Sequence, residues 1–492
     1  MRIAIIGGGI GGLGAAALLA KAGHTVTVYE KNEVLGGRAG VFEANGFTFD
    51  MGPSWYLMPD VFEAFFHSLE SDIHSLLDLV RLDPQYRVFF EGLPVPVDVP
   101  ADFEGAVAVA ESLELGSGPA FRKYIEVVGR QYRLVVDQYL TRDVSQLHTL
   151  ADRYALEALT TLPLTGSIDA YVSKYFKNPR LKQLLEYTLV FLGASPYKAP
   201  ALYAMMAHVD FGLGVYYPRG GINKLIEALV TMGTEFGVTF KTNSAVTSIQ
   251  TIDGKAMGLL LKDGSVVPAD VVVSNADMHH TETALLSKEL QTYPEEYWQT
   301  RTMAPSAVLL YLGVQGELPM LQHHNLYFAE QWKEHFDSIY DTPKWPKNPS
   351  FYLSNPSKTD PSVAPVGSEN LFALFPIASG FGTSEEVEEF AERAIDMIAK
   401  RMDIPGLRGR ITYRRVFGPD DFTTRYHSFQ GTALGLSHTL KQTAFMRPQN
   451  QSKYVSNLYY VGAGVHPGIG MPVCLISASL VAEKIRKQSN KR

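Results

Sequence analysis

Cysteine is almost missing from this chain: Cys474 is the one cysteine in 492 residues. That excludes an internal disulfide and a cysteine-based metal cluster, and it suits a reducing compartment. Long apolar runs are missing too. A spanning helix needs about twenty apolar residues with few or no charges, and the best stretch, 187–218, is interrupted by Lys198, His208 and Asp210. Met1 leads at once into a strand-like run without a basic leader segment, so no cleavable signal is expected and the expected location is the cytoplasm. Charged residues make up only 19%, with a net charge of −7, which argues against nucleic acid as a partner. What is abundant is apolar: hydrophobic residues reach 46%. At this length that supplies more than one domain core and leaves material for an apolar site.

The first thirty residues carry the strongest pattern. Arg2 to Ile6 form a short apolar run of the kind buried on both sheet faces, and it ends in Gly7-x-Gly9-x-x-Gly12. Gly7 permits a tight turn, Gly9 leaves room for backbone amides to approach a pyrophosphate, and Gly12 lets the following helix lie close on the strand. Phosphate charge then sits at a helix N-terminus, where free N–H groups and the macrodipole favour it. A helix over 13–21, a stop at Gly23 and a second strand over 25–29 complete a βαβ unit. Glu30 stands at its end, placed to accept the ribose hydroxyls of an adenosine.

Leu35-Gly36-Gly37-Arg38 follow directly, and an acid followed by GGR after such a unit resembles the two-dinucleotide-binding-domain flavoproteins, which include amine oxidases and the carotenoid desaturases. The resemblance implies FAD and places Arg38, with Gly37, near its pyrophosphate, a role that suits a guanidinium fork. Further runs extend the likeness: Phe49-Asp50-Met51-Gly52-Pro53, then Pro218-Arg219-Gly220-Gly221, then Ser274-Asn275-Ala276-Asp277. By the same resemblance the backbone of Val246 meets the adenine. The glycine-rich loop over 462–472, with Gly464 and Met471, opens the last helix, and the resemblance implies that it faces the flavin pyrimidine edge. The runs Gly418-Pro419-Asp420-Asp421-Phe422 and Gly431-Thr432-Ala433 add coverage without suggesting a role.

Between these landmarks the periodicity predicts a helix over 61–82, a strand pair over 86–100, helix over 103–139 and a mostly helical insertion over about 147–207. The insertion is rich in Tyr and Phe, and its helices either surround an apolar cavity, contact lipid, or form ordinary core. Trp55 has two open readings, channel wall or core. Strands are expected over 237–240, 245–249, 256–261, 271–274, 307–314 and 371–377, with helices over 222–232, 385–401 and 473–487. Adjacent His323 and His324 point to opposite faces of a strand, and no metal is expected. His466 sits in the last glycine-rich loop, where it hydrogen-bonds the cofactor, shuttles a proton or holds the loop, the last two being favoured; it is not read as the base. Cys474 is read as packing, so the flavin is expected to be noncovalent.

The expected fold is α/β: a discontinuous Rossmann-type FAD-binding domain from 1–70, 215–285 and 440–492, and a mixed α/β substrate domain from 71–214 and 286–439 carrying the helical insertion. The phytoene-desaturase-type carotenoid dehydrogenases are the family most resembled. That implies dehydrogenation of a long apolar polyene, a quinone or oxygen as the final electron acceptor, and peripheral attachment to a membrane surface, with the basic residues Lys484, Arg486, Lys487, Lys491 and Arg492 as a contributing tail. A carotenoid oxygenase or isomerase, a retinol-saturase-like enzyme and a non-catalytic FAD-binding scaffold are the alternatives. No His–Asp, Cys–His or paired-carboxylate arrangement is visible near the landmarks, so no essential acid–base residue is expected.

Overall fold

A computed structural model of the chain describes residues 1–143, 157–158 and 160–489. Residues 147–156 and 159 of the expected insertion, and Lys491 and Arg492 of the basic tail, lie outside the described residues.

Two sheets organise the molecule. The first has five parallel strands in the order Leu458–Tyr460, Val271–Ser274, Arg2–Ile6, Thr25–Tyr29 and Thr239–Lys241. Its central strands read as continuous apolar runs because helices cover both faces; Ile3, Ile5, Val26, Val28 and Val273 are all buried. Helix Ile10–Lys21 packs against the closing helix Met471–Ser489 and against Asn223–Glu235. Gly14 sets the first of these distances, since a Cβ there would stand 2.8 Å from the Leu475 side chain. A three-stranded antiparallel sheet, Val246–Ile252, Lys255–Leu261 and Val266–Pro268, lies beside it. Its first turn is made by Asp253 and Gly254, both at positive φ, as a two-residue hairpin requires.

The second sheet has seven strands in the order Ile411–Phe417, Ser306–Gln315, Ser368–Ile377, Phe351–Ser354, His324–Phe328, Tyr86–Phe90 and Val97–Val99. Alternation along these strands divides its two faces. Val308, Leu310, Leu353, Ala373 and Phe375 point to helix Ser384–Arg401. Leu309, Tyr311, Tyr352 and Phe372 point the other way, into the largest apolar cluster, where Trp55 and the helices over 103–213 gather. That second face is the floor of the site.

Several expected elements differ. The helix expected over 61–82 is helix Pro59–Ser68, a short turn Ile73–Leu76 and a strand Leu79–Arg81. Glu70 adopts φ 60 and Asp72 caps the next turn through its side chain, which breaks the helix despite the apolar spacing. The strand pairs with Tyr216–Pro218, a partner far along the chain. The helix expected over 103–139 is broken at Gly116, φ 82, into Phe103–Leu113 and Gly118–Val135, with Pro119 in the first turn of the second. Within the described part of the insertion the helices are short, with Ile168–Val172 and Pro179–Glu186 followed by 3-10 turns.

Candidate active site

One cavity of about 470 Å³ runs from the end of the first βαβ unit to the apolar face of the seven-stranded sheet. At its first end lies the glycine turn. Gly7 takes φ 91, closed to most side chains, and a Cβ on Gly12 would stand 2.2 Å from the Gly7 carbonyl oxygen. Gly12 therefore seats the helix on the strand and does not itself line the cavity. Gly7, Gly9 and Gly11 do. Gly9 caps the helix with no side-chain acceptor, so the first-turn amides keep their free donors. Gly462 closes the floor; a Cβ on Gly11 would meet its backbone at 3.0 Å.

Glu30 is buried on the cavity wall. Its Oε2 accepts from the Gly8 N–H at 2.8 Å, and Oε1 accepts from the Asn32 backbone N–H at 2.8 Å and the Asn32 amide at 2.9 Å. A carboxylate has about four acceptor positions, so the group is held in place with capacity left for a further donor. Arg38 lines the same cavity; it donates through Nη2 to Ser428 Oγ at 2.8 Å and packs its guanidinium on the Tyr426 ring. Its Nε is buried with no partner. A desolvated donor facing a glycine cradle fits the diphosphate of FAD, because an anion there satisfies what the protein leaves open. Gly37, Val246 and Met471 also line the cavity, whereas Gly464 does not: it packs against the Met278 side chain, and Gly462 and Ala463 face the cavity in its place.

Over this end lies a strap, helix Pro419–Tyr426 and the residues after it. Lys31 Nζ donates to the Thr424 carbonyl at 2.6 Å, Asn32 to the Arg425 carbonyl at 3.2 Å, and Arg425 to Glu33 at 2.8 Å. His427 stacks on His280. Sequence reasoning noticed this run without giving it a role, because its contacts join residues nearly four hundred positions apart.

The other end is apolar. Trp55 lines it, with Phe191, Leu309, Phe328, Trp332 and Phe372. Both readings of Trp55 hold, since it is also buried and stacked on His324, ring centroids 4.1 Å apart. Polar side chains on this wall include Ser54, Tyr352 and His335. None was singled out from the sequence, which offers no local signal for them. His466, the titratable residue expected by the flavin, does not line the cavity. It is buried, and burial lowers its pKa to about 4. Cys474 does line the cavity, with its thiol pushed up to about 12 by burial. Among the described residues no group of three His, Cys, Asp or Glu is arranged to hold a metal.

Residues 10–486 match the family model described as flavin containing amine oxidoreductase. The chain belongs to that family. Its cofactor is FAD. A carotenoid 3,4-desaturase of Haloarcula japonica is 46% identical over 490 residues, covering 98% of this chain and 97% of the relative. A zeta-carotene-forming phytoene desaturase of Myxococcus xanthus is 34% identical, covering 98% and 93%. Among solved structures, an oxidoreductase from Methanosarcina mazei superposes with a TM-score of 0.65 at 19% identity, covering 98% of this chain and all of that one. Putrescine oxidase superposes at 0.64 and 14%, covering both chains fully. At these identities the structural likeness establishes the flavoprotein fold.

Proposed function

We propose that this flavoprotein dehydrogenates a long apolar polyene of the carotenoid class, removing hydrogen from two adjacent carbons to leave a new double bond. The observation that carries the reading is the single cavity joining Glu30 and the glycine cradle to an aromatic-lined chamber. FAD supplies the hydride acceptor, a chemistry no side chain possesses. The chain's own residues do the rest. Gly7, Gly9, Gly37, Glu30, Arg38, Val246 and Met471 hold the cofactor, with Gly12 and Gly464 shaping the two backbone approaches. Trp55, Phe191 and Phe372 align the chain of the substrate and keep water out.

The polyene dissolves in a bilayer, which supports a peripheral cytoplasmic enzyme collecting it from the membrane surface. No helix among the described residues is long and apolar enough to cross a membrane. A quinone in that membrane, or oxygen, takes the electrons onward. The discontinuous division, 1–70, 215–285 and 440–492 for FAD and 71–214 and 286–439 for substrate, is part of the same proposal.

The test is anaerobic mixing of the yellow holoprotein with an acyclic C40 polyene. Bleaching of the flavin together with a red shift of the polyene spectrum is expected. A flavin that stays oxidised with every polyene offered sinks the reading, and protein that remains at the bottom of a liposome flotation gradient sinks the membrane part of it.

A further inference from the structure

A polar break in the apolar chamber leads to a second cavity. Ser54 and Tyr352 face the chamber, and Tyr352 Oη lies 2.8 Å from Ser54 Oγ and 2.7 Å from His324 Nδ1. The His324 ring packs edge to face against His323, centroids 4.5 Å apart, and His323 Nδ1 lies 2.8 Å from Thr359 Oγ1. Both histidines are buried, and the Nε2 atom of each has no partner. Ser54 and His323 also border a second cavity of about 20 Å³, lined by Asp50, Tyr217 and Ser354 among others. That is room for one water among polar partners. Hydrogen bonds thus run from the chamber through Ser54 and Tyr352 to His324, whose ring touches that of His323, and both Ser54 and His323 border the small polar compartment.

Such a chain is costly where it stands. Buried polar groups without full pairing lose their hydration for nothing, and an apolar wall of the same shape would be more stable. Its position is also telling. Met51 N–H donates to the Gly40 carbonyl at 2.8 Å, and a Cβ on Gly52 would stand 2.9 Å from the Arg38 carbonyl oxygen. Ser54 follows two residues later, so the polar break is tied to the loop that carries Arg38 and lies where the cofactor end meets the substrate end.

We propose that Tyr352 and His324, with Ser54 and His323 beside them, form the path by which the substrate's proton leaves the chamber. The inference rests on the dehydrogenation reading. FAD, when bound, would supply the hydride acceptor, and a substrate that has lost a hydride is a carbon cation stabilised by the neighbouring double bonds. That loss is reversible until the C–H bond on the next carbon breaks and its electron pair becomes the new π bond, so net bleaching of the flavin waits on the departing proton. That proton goes to Tyr352 Oη as the hydroxyl proton of Tyr352 passes to His324 Nδ1. The imidazolium so formed releases its Nε2 proton towards His323 and the small cavity. Burial pushes the pKa of His323 down to about 3 and that of His324 well below its ordinary value, so neither ring retains the proton. An allylic cation is acidic enough to give its proton to such weak bases.

The variants Y352F and H324Q, loaded with FAD, test this against wild type. Polyene binding is read from protein fluorescence quenching, and flavin bleaching from anaerobic stopped flow. A residue that merely shapes the wall changes affinity and rate together; a proton path changes rate alone. Both variants are expected to bind polyene within about threefold of wild type and to bleach at least tenfold more slowly, within the ~10²–10⁴ cost of losing a positioned acid–base group. Rates less than tenfold below wild type, or affinity lost in proportion to rate, overturn the proposal. If H324Q does not fold, Y352F decides alone, since it removes one oxygen from the wall. Failure of the wild type to bleach with any polyene overturns the dehydrogenation reading instead.

Discussion

His427 lies face to face with His280, ring centroids 3.9 Å apart and planes 12° from parallel. The first belongs to the strap over the cofactor end, the second to the short helix after the Ser274–Asp277 run, and both line the cavity. Their contact closes the strap over the end of the cavity where Glu30 stands, and we read the strap as a lid on that end. Burial, then the facing His427, lowers the pKa of His280 from 6.5 to about 4; burial and Lys31 lower that of His427. Above about pH 6.5 both rings are neutral whether the strap is docked or lifted, and docking has its full strength. Between about 6.5 and 4 the lifted strap takes up protons that the docked strap refuses, so docking weakens as pH falls and changes little below that window. FAD release, read as flavin fluorescence after dilution, is expected to accelerate from pH 6.5 to 4 and to do so less in H280Q. A release rate flat across that window in the wild type would rule the lid out.

Glu33 and Arg425 tie the same strap down from outside, at 2.8 Å and partly exposed. Exposed pairs of this kind contribute about 0.2–1 kcal/mol and are screened by salt. E33Q is therefore expected to speed FAD release by no more than about fivefold, and by less at high salt. R425A, which also loses packing, should go further. Equal release rates in wild type and E33Q at low salt would show that the pair does not restrain the strap.

Glu30 is a stronger point of attachment. It orders Gly8 and Asn32 before any ligand arrives, and its remaining acceptor capacity faces the cavity. Hydrogen bonds to a charged group contribute about 1.5–3 kcal/mol each. E30A is expected to weaken FAD by at least tenfold in a titration of the apoprotein, while the fold measured by circular dichroism persists. G12A is a different lesion: its Cβ has no space against the Gly7 carbonyl, so loss of folded protein is the expected outcome.

Cys474 stands on the cavity wall, close enough to invite the idea of a covalent flavin, yet burial holds its thiol neutral up to about 12. Only the thiolate is a nucleophile. Acid precipitation should leave the yellow colour in the supernatant, and C474A should retain FAD. Colour that stays with the denatured pellet of the wild type and not of C474A would reverse this.

The parts of the site legible in the sequence are those written in consecutive residues. Arg2 to Glu30 form strand, turn, helix and strand within one local stretch, so spacing alone was enough to place the glycines and the carboxylate. The division of the seven-stranded sheet into two faces was not legible, because Tyr352 and Leu353 differ only in which side of one strand they occupy. Tyr352 acquires its meaning from Ser54 and His324, which lie on separate segments. The strap was equally hidden: Arg425 and Glu33 are joined by folding alone. Where periodicity misled, as over 61–82, a residue in the left-handed region and a capping aspartate outweighed the apolar spacing. His466 was drawn to the flavin by its neighbours in the glycine-rich loop; the backbone of that loop, at Ala463 and Ile469 to Met471, faces the cavity while the His466 ring is buried away from it.

That placement fixes what His466→Ala should do. A ring outside the cavity, with a pKa lowered to about 4 by burial, has neither the position nor the basicity to take the substrate's proton. Its contribution is packing beneath the loop, next to Asn450, whose amide donates to the His466 carbonyl at 2.8 Å through a contact the alanine retains. Truncation should lower the unfolding midpoint modestly and leave FAD stoichiometric. Single-turnover bleaching by the polyene should fall less than tenfold, in contrast to the larger loss expected for Y352F. A fall towards the ~10²–10⁴ range of a lost general base, with FAD still bound, would move the proton from Tyr352 to His466 and require the loop to swing its ring into the cavity.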